Sequence, residues 1–302
     1  MDAVTAPKRN PLDTPDPKPR PPFTYCLNTS TVQGQKLSLV EEVDLAAKAG
    51  YGAIEPWIGE IEKYRDGGGS VADLRNRITD AGLRVAGAIG FAKWVVDDVT
   101  ERAAGLEHMR RDMDLLAQIG GTHIAAPPVG HQHKPGLDLR AAGERYAAVL
   151  AVGRDAGVTP MLEVWGFSKS LSRLSEALFV AVESGQTDAC LLLDTYHLHR
   201  GGSGFASLAL VSGDKLPVFH VNDFPASIPA DKLTDADRVY PGDGAAPYAQ
   251  LVDTFKRIGA RPTLSLELFN KQYWAQDPLT VAKTGLAKLR AVVEGVGEHA
   301  RA

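Results

Sequence analysis

The chain has 302 residues, 44% of them apolar and 23% charged, with a net charge of −4 at neutral pH. That length suits one α/β barrel of roughly 250 residues with a tail, and the acidic balance argues against a broad surface for a phosphate backbone. No run approaches the ~18 apolar residues of a membrane-spanning helix, and the N-terminus lacks the apolar core of a secretory signal. A cytoplasmic protein with neither nucleic-acid nor membrane partners is therefore expected, and a homo-oligomer is left open.

Residues 1–22 hold seven of the nineteen prolines among charged residues. Such a segment buries too little surface to offset its ordering entropy, which predicts a disordered tail ahead of a barrel over 23–302. Cys26 and Cys190 are far apart and sit in apolar runs, as buried free thiols do in a reducing compartment.

Beyond the tail one local pattern recurs. A helical stretch ends at glycine and a short apolar strand follows, at Gly50, Gly82, Gly120, Gly157, Gly185, Gly213 and Gly259. Glycine suits the left-handed residue just past a helix. Seven helix-to-strand junctions imply eight βα units, which predicts a closed (βα)8 TIM barrel. Helix starts agree: Ser38 with Glu41, Ser70 with Asp73, and Asp277-Pro278 are N-terminal signatures. The predicted strands lie near 23–28, 52–55, 84–89, 122–126, 159–164, 190–194, 217–222 and 263–268, with one long loop at 223–246.

Four of these strands end on groups with metal-ligand chemistry: Glu163, Asp194, His220 and Glu267. The C-terminal strand ends of such a barrel face its active site. Several carboxylates gathered there need a compensating cation. Three carboxylates and one imidazole suit one divalent ion, Mn²⁺, Co²⁺, Zn²⁺ or Mg²⁺, acting as a Lewis acid on a substrate carbonyl or hydroxyl. A structural zinc is not expected, because thiolates are absent and only one histidine contributes. Trp57, Phe91, Trp94 and Trp165 follow strand ends and could wall an apolar side of a pocket, with plain core packing as the alternative. His131-Gln-His133 reads as a solvent-exposed loop.

The stretches Asp194-Thr-Tyr-His197-Leu-His199, His220-Val-Asn-Asp223, Leu233 to Gly244 and Ser265-Leu-Glu267-Leu-Phe269 resemble the xylose isomerase-like TIM barrels, the sugar phosphate isomerase/epimerase family. So do Cys26-Leu-Asn28-Thr-Ser-Thr31 and Gly50-Tyr-Gly-Ala-Ile-Glu55. The resemblance spans about residues 23–290 and is most specific toward the 2-keto-myo-inositol isomerases. It implies that Glu163, Asp194, His220 and Glu267 bind the metal. Glu163 and Glu267 would also transfer protons at carbon next to the carbonyl of a keto-cyclitol or ketose, through an enediolate. It places His197, Arg238, Glu55 and Trp165 around the substrate.

Bland alternatives stand beside these roles. His197 could only orient Asp194, Arg238 could cap its loop through Asp235, and Glu55 before Pro56 could cap a helix. The chain also departs from the family pattern. Phe167 stands where a histidine is expected, and Gly87 to Trp94 lacks an expected asparagine. The departures keep the metal half and alter the specificity half, which fits a larger or less polar keto-sugar such as a glycoside. A lyase or dehydratase using the same metal site is the main alternative. Abasic-site DNA cleavage would need a multi-metal cluster with more strand-end histidines than this chain offers, and an intact ligand set argues against a non-catalytic sugar-binding protein.

Overall fold

The fifth strand, Thr159–Glu163, shows how the sequence builds the sheet: Pro160 and Leu162 point one way, Met161 and Glu163 the other. Such buried strands alternate between a layer under the helices and a layer inside a barrel. The computed structural model describes residues 23–295. The proline-rich segment 1–22, with its expected disorder, lies outside the described residues, as does 296–302.

Eight parallel strands form one sheet: β1 (Thr24–Asn28), β2 (Ala53–Glu55), β3 (Arg84–Val85), β4 (His123–Ala126), β5 (Thr159–Glu163), β6 (Cys190–Asp194), β7 (Val218–Val221) and β8 (Thr263–Leu266). Their order is β3-β2-β1-β8-β7-β6-β5-β4. The barrel closes beyond the short β3 at Ala88, whose N–H donates to His123 O (3.1 Å) and whose carbonyl accepts from Ala125 N–H (2.9 Å). The (βα)8 TIM barrel expected from the glycine rhythm is the fold observed. The predicted third strand, 84–89, is reduced to two ladder residues and isolated bridges at Ala88 and Ile89.

Helices follow the strands: α1 (Leu39–Ala49), α2 (Ile58–Asp66), α3 (Val71–Asp80), α4 (Val99–Gln118), α5 (Leu139–Ala156), α6 (Leu174–Glu183), α7 (Thr195–Arg200), α8 (Tyr248–Ile258), α9 (Lys271–Trp274) and α10 (Pro278–Glu294). Ser38 and Glu41 close a reciprocal capping box on α1, and Asp277 Oδ1 accepts from Thr280 N–H at the start of α10. Gly213 departs from the glycine rule. It follows no α-helix and begins a short 3₁₀ turn, Gly213–Lys215. Its requirement is space, since a Cβ there would lie 2.4 Å from the Ile258 carbonyl. The 223–246 segment is not bare loop either. It carries two 3₁₀ turns, Ala230–Lys232 and Asp235–Asp237, and is tied back by paired Asp223 and Val239.

Two apolar layers result. Leu27, Ile54, Leu162, Leu191, Leu193, Phe219, Leu264 and Leu266 pack outward beneath the helices. Cys26, Ala53, Met161, Cys190, Leu192 and Val218 fill the barrel, and both cysteines are free and buried. Each fully buried aliphatic side chain contributes about 1.5–3 kcal/mol relative to exposure. No helix among the described residues is long and apolar enough to cross a membrane.

Candidate active site

The period-two alternation of the strands decides which polar groups enter the barrel. Cys26, Ala53, Met161, Leu192 and Val218 point inward. Two positions further along each strand stand Asn28, Glu55, Glu163, Asp194 and His220, on the same face. On β8 the outward Leu264 and Leu266 place Ser265 and Glu267 inward. In-register pairing then sets Asp194 beside His220, His220 beside Ser265, and Asn28 beside Glu55.

Asp194, His220 and Glu267 offer ligand atoms that all lie within 4.8 Å of one another. His220 Nδ1 is 3.2 Å from Glu267 Oε2 and 3.9 Å from Asp194 Oδ2. It is buried and has no hydrogen-bond partner. The other ring nitrogen, Nε2, lies 3.0 Å from Glu55 Oε2. Without a cation both ring nitrogens face carboxylates; a cation at Nδ1 would take the place of the proton there, while Nε2–H keeps its contact with Glu55. Hard oxygens with one imidazole nitrogen suit a divalent cation, and an unpartnered ring nitrogen held by a carboxylate behind it is how histidine ligands are oriented. These residues fit the metal that the sequence suggests. Glu163, on β5, stands outside the close triad and lines the adjoining cavity, with a buried unpartnered Oε2.

Glu55 is fully buried and does not line the cavity. Its Oε2 accepts from Ser265 Oγ (2.6 Å) and Asn28 Nδ2 (3.1 Å) as well as facing His220. The structure turns Glu55 to the side of the His220 ring away from Asp194 and Glu267.

His197 enters through α7, which begins directly at the end of β6. Asp194 is the N-cap of this helix, and its Oδ1 accepts from His197 N–H (2.9 Å). Both ring nitrogens of His197 face donors: Gly166 N–H points at Nδ1 (3.2 Å), and Arg238 Nη2, which can only donate, lies 3.2 Å from Nε2. Burial, with the Arg238 charge, pushes His197 down to about 3, so the ring is neutral. It lines the cavity beside Glu163 and Glu267. Helix formation also turns His199 onto Phe224, with ring centroids 3.9 Å apart.

Arg238 is 1% exposed. Its Nη1 donates to Asp194 Oδ2 (3.0 Å) and Glu267 Oε2 (2.7 Å), and its Nη2 to Asp235 Oδ1 (2.5 Å). The guanidinium sits 4.4 Å from the centre of the Tyr196 ring and 5.0 Å from that of Phe269. It both closes its loop through Asp235 and reaches the carboxylates of the site.

The two glutamates have opposite proton preferences. Burial pushes Glu163 up to about 8, against the pull of His220 and with the help of Glu267. Burial would also raise Glu267, but His220 and Arg238 override it and hold its carboxyl below the usual range. For His220, burial is overcome by Glu267 and Glu55, which hold the ring well above the ordinary imidazole value.

A cavity of about 170 Å³ opens above these groups. Glu163, His197, Asp235, Arg238 and Glu267 supply its polar lining, and Trp57, Phe91, Trp165, Phe167 and Phe269 much of the rest. Trp94, expected as a candidate wall, is instead in the core at 1% exposure, donating to Pro127 O (2.9 Å). His131 is likewise not solvent-exposed. It is 3% exposed and its Nε2 lies 3.2 Å from Asp97 Oδ2. Asn222 was not singled out by sequence, yet its Nδ2 donates to Asp194 Oδ2 (2.8 Å) and its Oδ1 accepts from Tyr196 N–H. Its only sequence signal is being polar two residues after the end-of-strand histidine.

The chain matches the family description "xylose isomerase-like TIM barrel" over residues 43–292. It is 24% identical to the inosose isomerase of Bacillus velezensis over 89% of this chain and 96% of that one. It is 25% identical to a 3-dehydroshikimate dehydratase of Pseudomonas aeruginosa over 87% of this chain and 41% of that one. A crystal structure of the IolI protein with a bound zinc atom superposes with a TM-score of 0.84 at 22% identity, over 91% of this chain and 99% of that one. Given that family match over most of its length, the chain belongs to the xylose isomerase-like TIM barrel family.

Proposed function

We propose that the protein is a divalent-metal-dependent isomerase or epimerase of a small keto-sugar or keto-cyclitol, working by proton transfer at the carbon next to a carbonyl. The observation that carries this reading is the placing of Glu163 and Glu267, which line one cavity from strands separated by β6 and β7, beside the Asp194–His220–Glu267 set. In the metal-free site burial favours the proton on Glu163, while His220 and Arg238 hold Glu267 ionised. Pairs of carboxyl groups driven apart in this way are what an acid–base exchange requires.

Asp194, His220, Glu267 and Glu163 would hold the cation, which when bound supplies a Lewis acid for the substrate oxygens. The remaining work belongs to the chain itself. Glu267, ionised, can accept a proton from carbon, and Glu163, protonated, can deliver one to the neighbouring carbon or the opposite face. His197 contributes a neutral ring to the cavity lining, and Arg238 keeps Glu267 in place and in its basic form. The aromatic side of the cavity excludes water from these groups. The sequence similarity to inosose isomerase supports this substrate class.

The test is ¹H NMR in D₂O with keto-inositols and ketoses in the presence of Mn²⁺ or Co²⁺. Solvent deuterium should enter the carbon next to the carbonyl, and Glu163→Gln and Glu267→Gln should each abolish its entry. Undiminished exchange in both variants rules the mechanism out. A second reading is elimination of a β-substituent from the same enediolate, favoured by the likeness to the 3-dehydroshikimate dehydratase. A product lighter by water or a leaving group, found by mass spectrometry, would select it.

A further inference from the structure

The cavity is divided between a polar side and an aromatic arc. Five rings follow one another around its rim. Phe269 lies 6.2 Å from Trp57, Trp57 lies 5.1 Å from Phe91, Phe91 lies 6.4 Å from Trp165, and Trp165 lies 5.3 Å from Phe167. They are contributed by the segments after β8, β2, β3 and β5. Their faces are not fully covered by protein: Phe91 is 37% exposed and the other four are half-buried.

The arc has almost nothing to offer a hydroxyl group. Trp57 Nε1–H is turned to Asn28 Oδ1 (3.3 Å), and Trp165 has a single polar side-chain atom, its indole N–H. Phe91, Phe167 and Phe269 have no polar atom. The polar groups that line the cavity besides the two glutamates, His197, Asp235 and Arg238, come from the β6 and β7 segments. A ring bearing a hydroxyl on every carbon, lodged here, would pair those facing the polar side and strip water from the rest without replacing it. Unpaired hydroxyls are costly to bury. A continuous set of partly open aromatic faces is in turn unfavourable in water unless a ligand covers it.

We infer that the substrate carries a flat, aromatic substituent on the keto-sugar or keto-cyclitol, and that this group stacks on the Trp57–Phe91–Trp165 arc while the carbonyl end faces Glu163 and Glu267. The inference rests on the proposed function for its carbonyl end and on the ring geometry alone for its aromatic end. Phe167 belongs to the same device: it stacks on Trp165 with an interplanar angle of 27° and extends the apolar face toward His197. The arc sets specificity and takes no part in moving protons.

Two of the rings are indoles in the cavity, so binding is visible without turnover. The full chain, with Mn²⁺ present, is titrated with phenyl β-D-glucoside and with methyl β-D-glucoside while tryptophan fluorescence is followed. The phenyl compound should bind about tenfold more tightly or better, in line with the worth of one or two aromatic contacts. Phe91→Ala, at a partly exposed position where the fold tolerates truncation, should shrink that advantage to about threefold or less and leave the methyl compound unchanged. Equal affinity of the two glucosides overturns the inference, as does a phenyl advantage that survives both Phe91→Ala and Phe167→Ala. The D₂O exchange assay separates this outcome from the proposed function. A phenyl preference lost in the variants, with no exchange into any ketone, removes the proton-transfer reading and leaves the aromatic site. Exchange into unsubstituted keto-inositols with no phenyl preference does the reverse.

Discussion

Glu55 Oε2 faces His220 Nε2 across 3.0 Å, inside the barrel and away from the cavity. The contact assigns the ring proton to Nε2 and keeps Nδ1 as the nitrogen that faces Asp194 and Glu267. Two strands, β1 and β8, lie between β2 and β7 along the sheet, and Ser265 and Asn28 complete the tie from those intervening strands.

That tie predicts the effect of Glu55→Gln. The amide keeps an acceptor for Nε2–H but removes the charge that makes the ring a stronger ligand. Affinity for Mn²⁺, measured by calorimetry, should fall roughly 10–100-fold, the usual effect of losing a partner that orients a ligand. The melting temperature of the metal-free protein should change much less. An unaltered Mn²⁺ affinity would show that Glu55 does not position His220.

Gly166 is fixed by close approach and not by its backbone angles. A Cβ there would lie 2.3 Å from His197 O and 2.7 Å from Gly201 N. Gly166→Ala should therefore destabilise the fold by about 1–3 kcal/mol through overpacking, read from the urea midpoint. It should also weaken ligand binding through His197, because the N–H that holds the ring at Nδ1 belongs to the displaced residue. A variant as stable as the parent would mean that α7 can move aside without loss.

What could be read in the sequence was whatever depends on period and position along a strand. Glu163, Asp194, His220 and Glu267 end apolar runs in one chain segment each, and alternation is enough to place them on one face. What could not be read depends on pairs from different segments. Glu55 looks like any strand-end carboxylate until β7 is wound around to face it. His197 is two residues from His199, so a continued strand would put both on one face; helix α7 separates them instead. Trp94 and Trp165 carry the same local signal, a tryptophan shortly after a strand. Only the packing of Trp94 on Tyr146, at 5.9 Å between ring centroids, sends it to the core. The aromatic arc assembles from four separate loops, and no local pattern announces it.

Glu42 gives a prediction in pH. It is 2% exposed, its Oε2 has no partner, and burial, then the Glu60 and Glu41 carboxylates, raise it well above the ordinary range against Lys63. The folded state thus binds this proton more tightly than the unfolded chain. The associated stability is complete below the ordinary glutamate value and is lost as pH rises through neutrality toward the raised value, with a slope of at most ~1.4 kcal/mol per pH unit for one proton. Glu42→Gln mimics the protonated form. It should flatten the dependence and be more stable than the parent at pH 8, with the gap narrowing toward pH 5. Parallel pH profiles in urea denaturation would contradict this.

Arg238 stabilises the site as a counter-charge, and a bound cation would share that role. Its Nη1 bridges Asp194 Oδ2 and Glu267 Oε2, two of the oxygens that make up the Asp–His–Glu set. Arg238→Met keeps an unbranched apolar stem but removes the charged guanidinium that sits over Tyr196 and Phe269. Breaking a buried pair from one side costs on the order of 3–5 kcal/mol, because the remaining carboxylates lose their compensation. The metal-free variant should accordingly unfold at a lower temperature than the parent. A divalent cation that binds Asp194 and Glu267 returns positive charge to the same oxygens. Saturating Mn²⁺ should therefore raise the melting temperature of Arg238→Met by more than it raises that of the parent. If Mn²⁺ shifts both proteins equally, the cation and the guanidinium do not act on the same carboxylates, and the ligand set centred on Asp194, His220 and Glu267 is wrong.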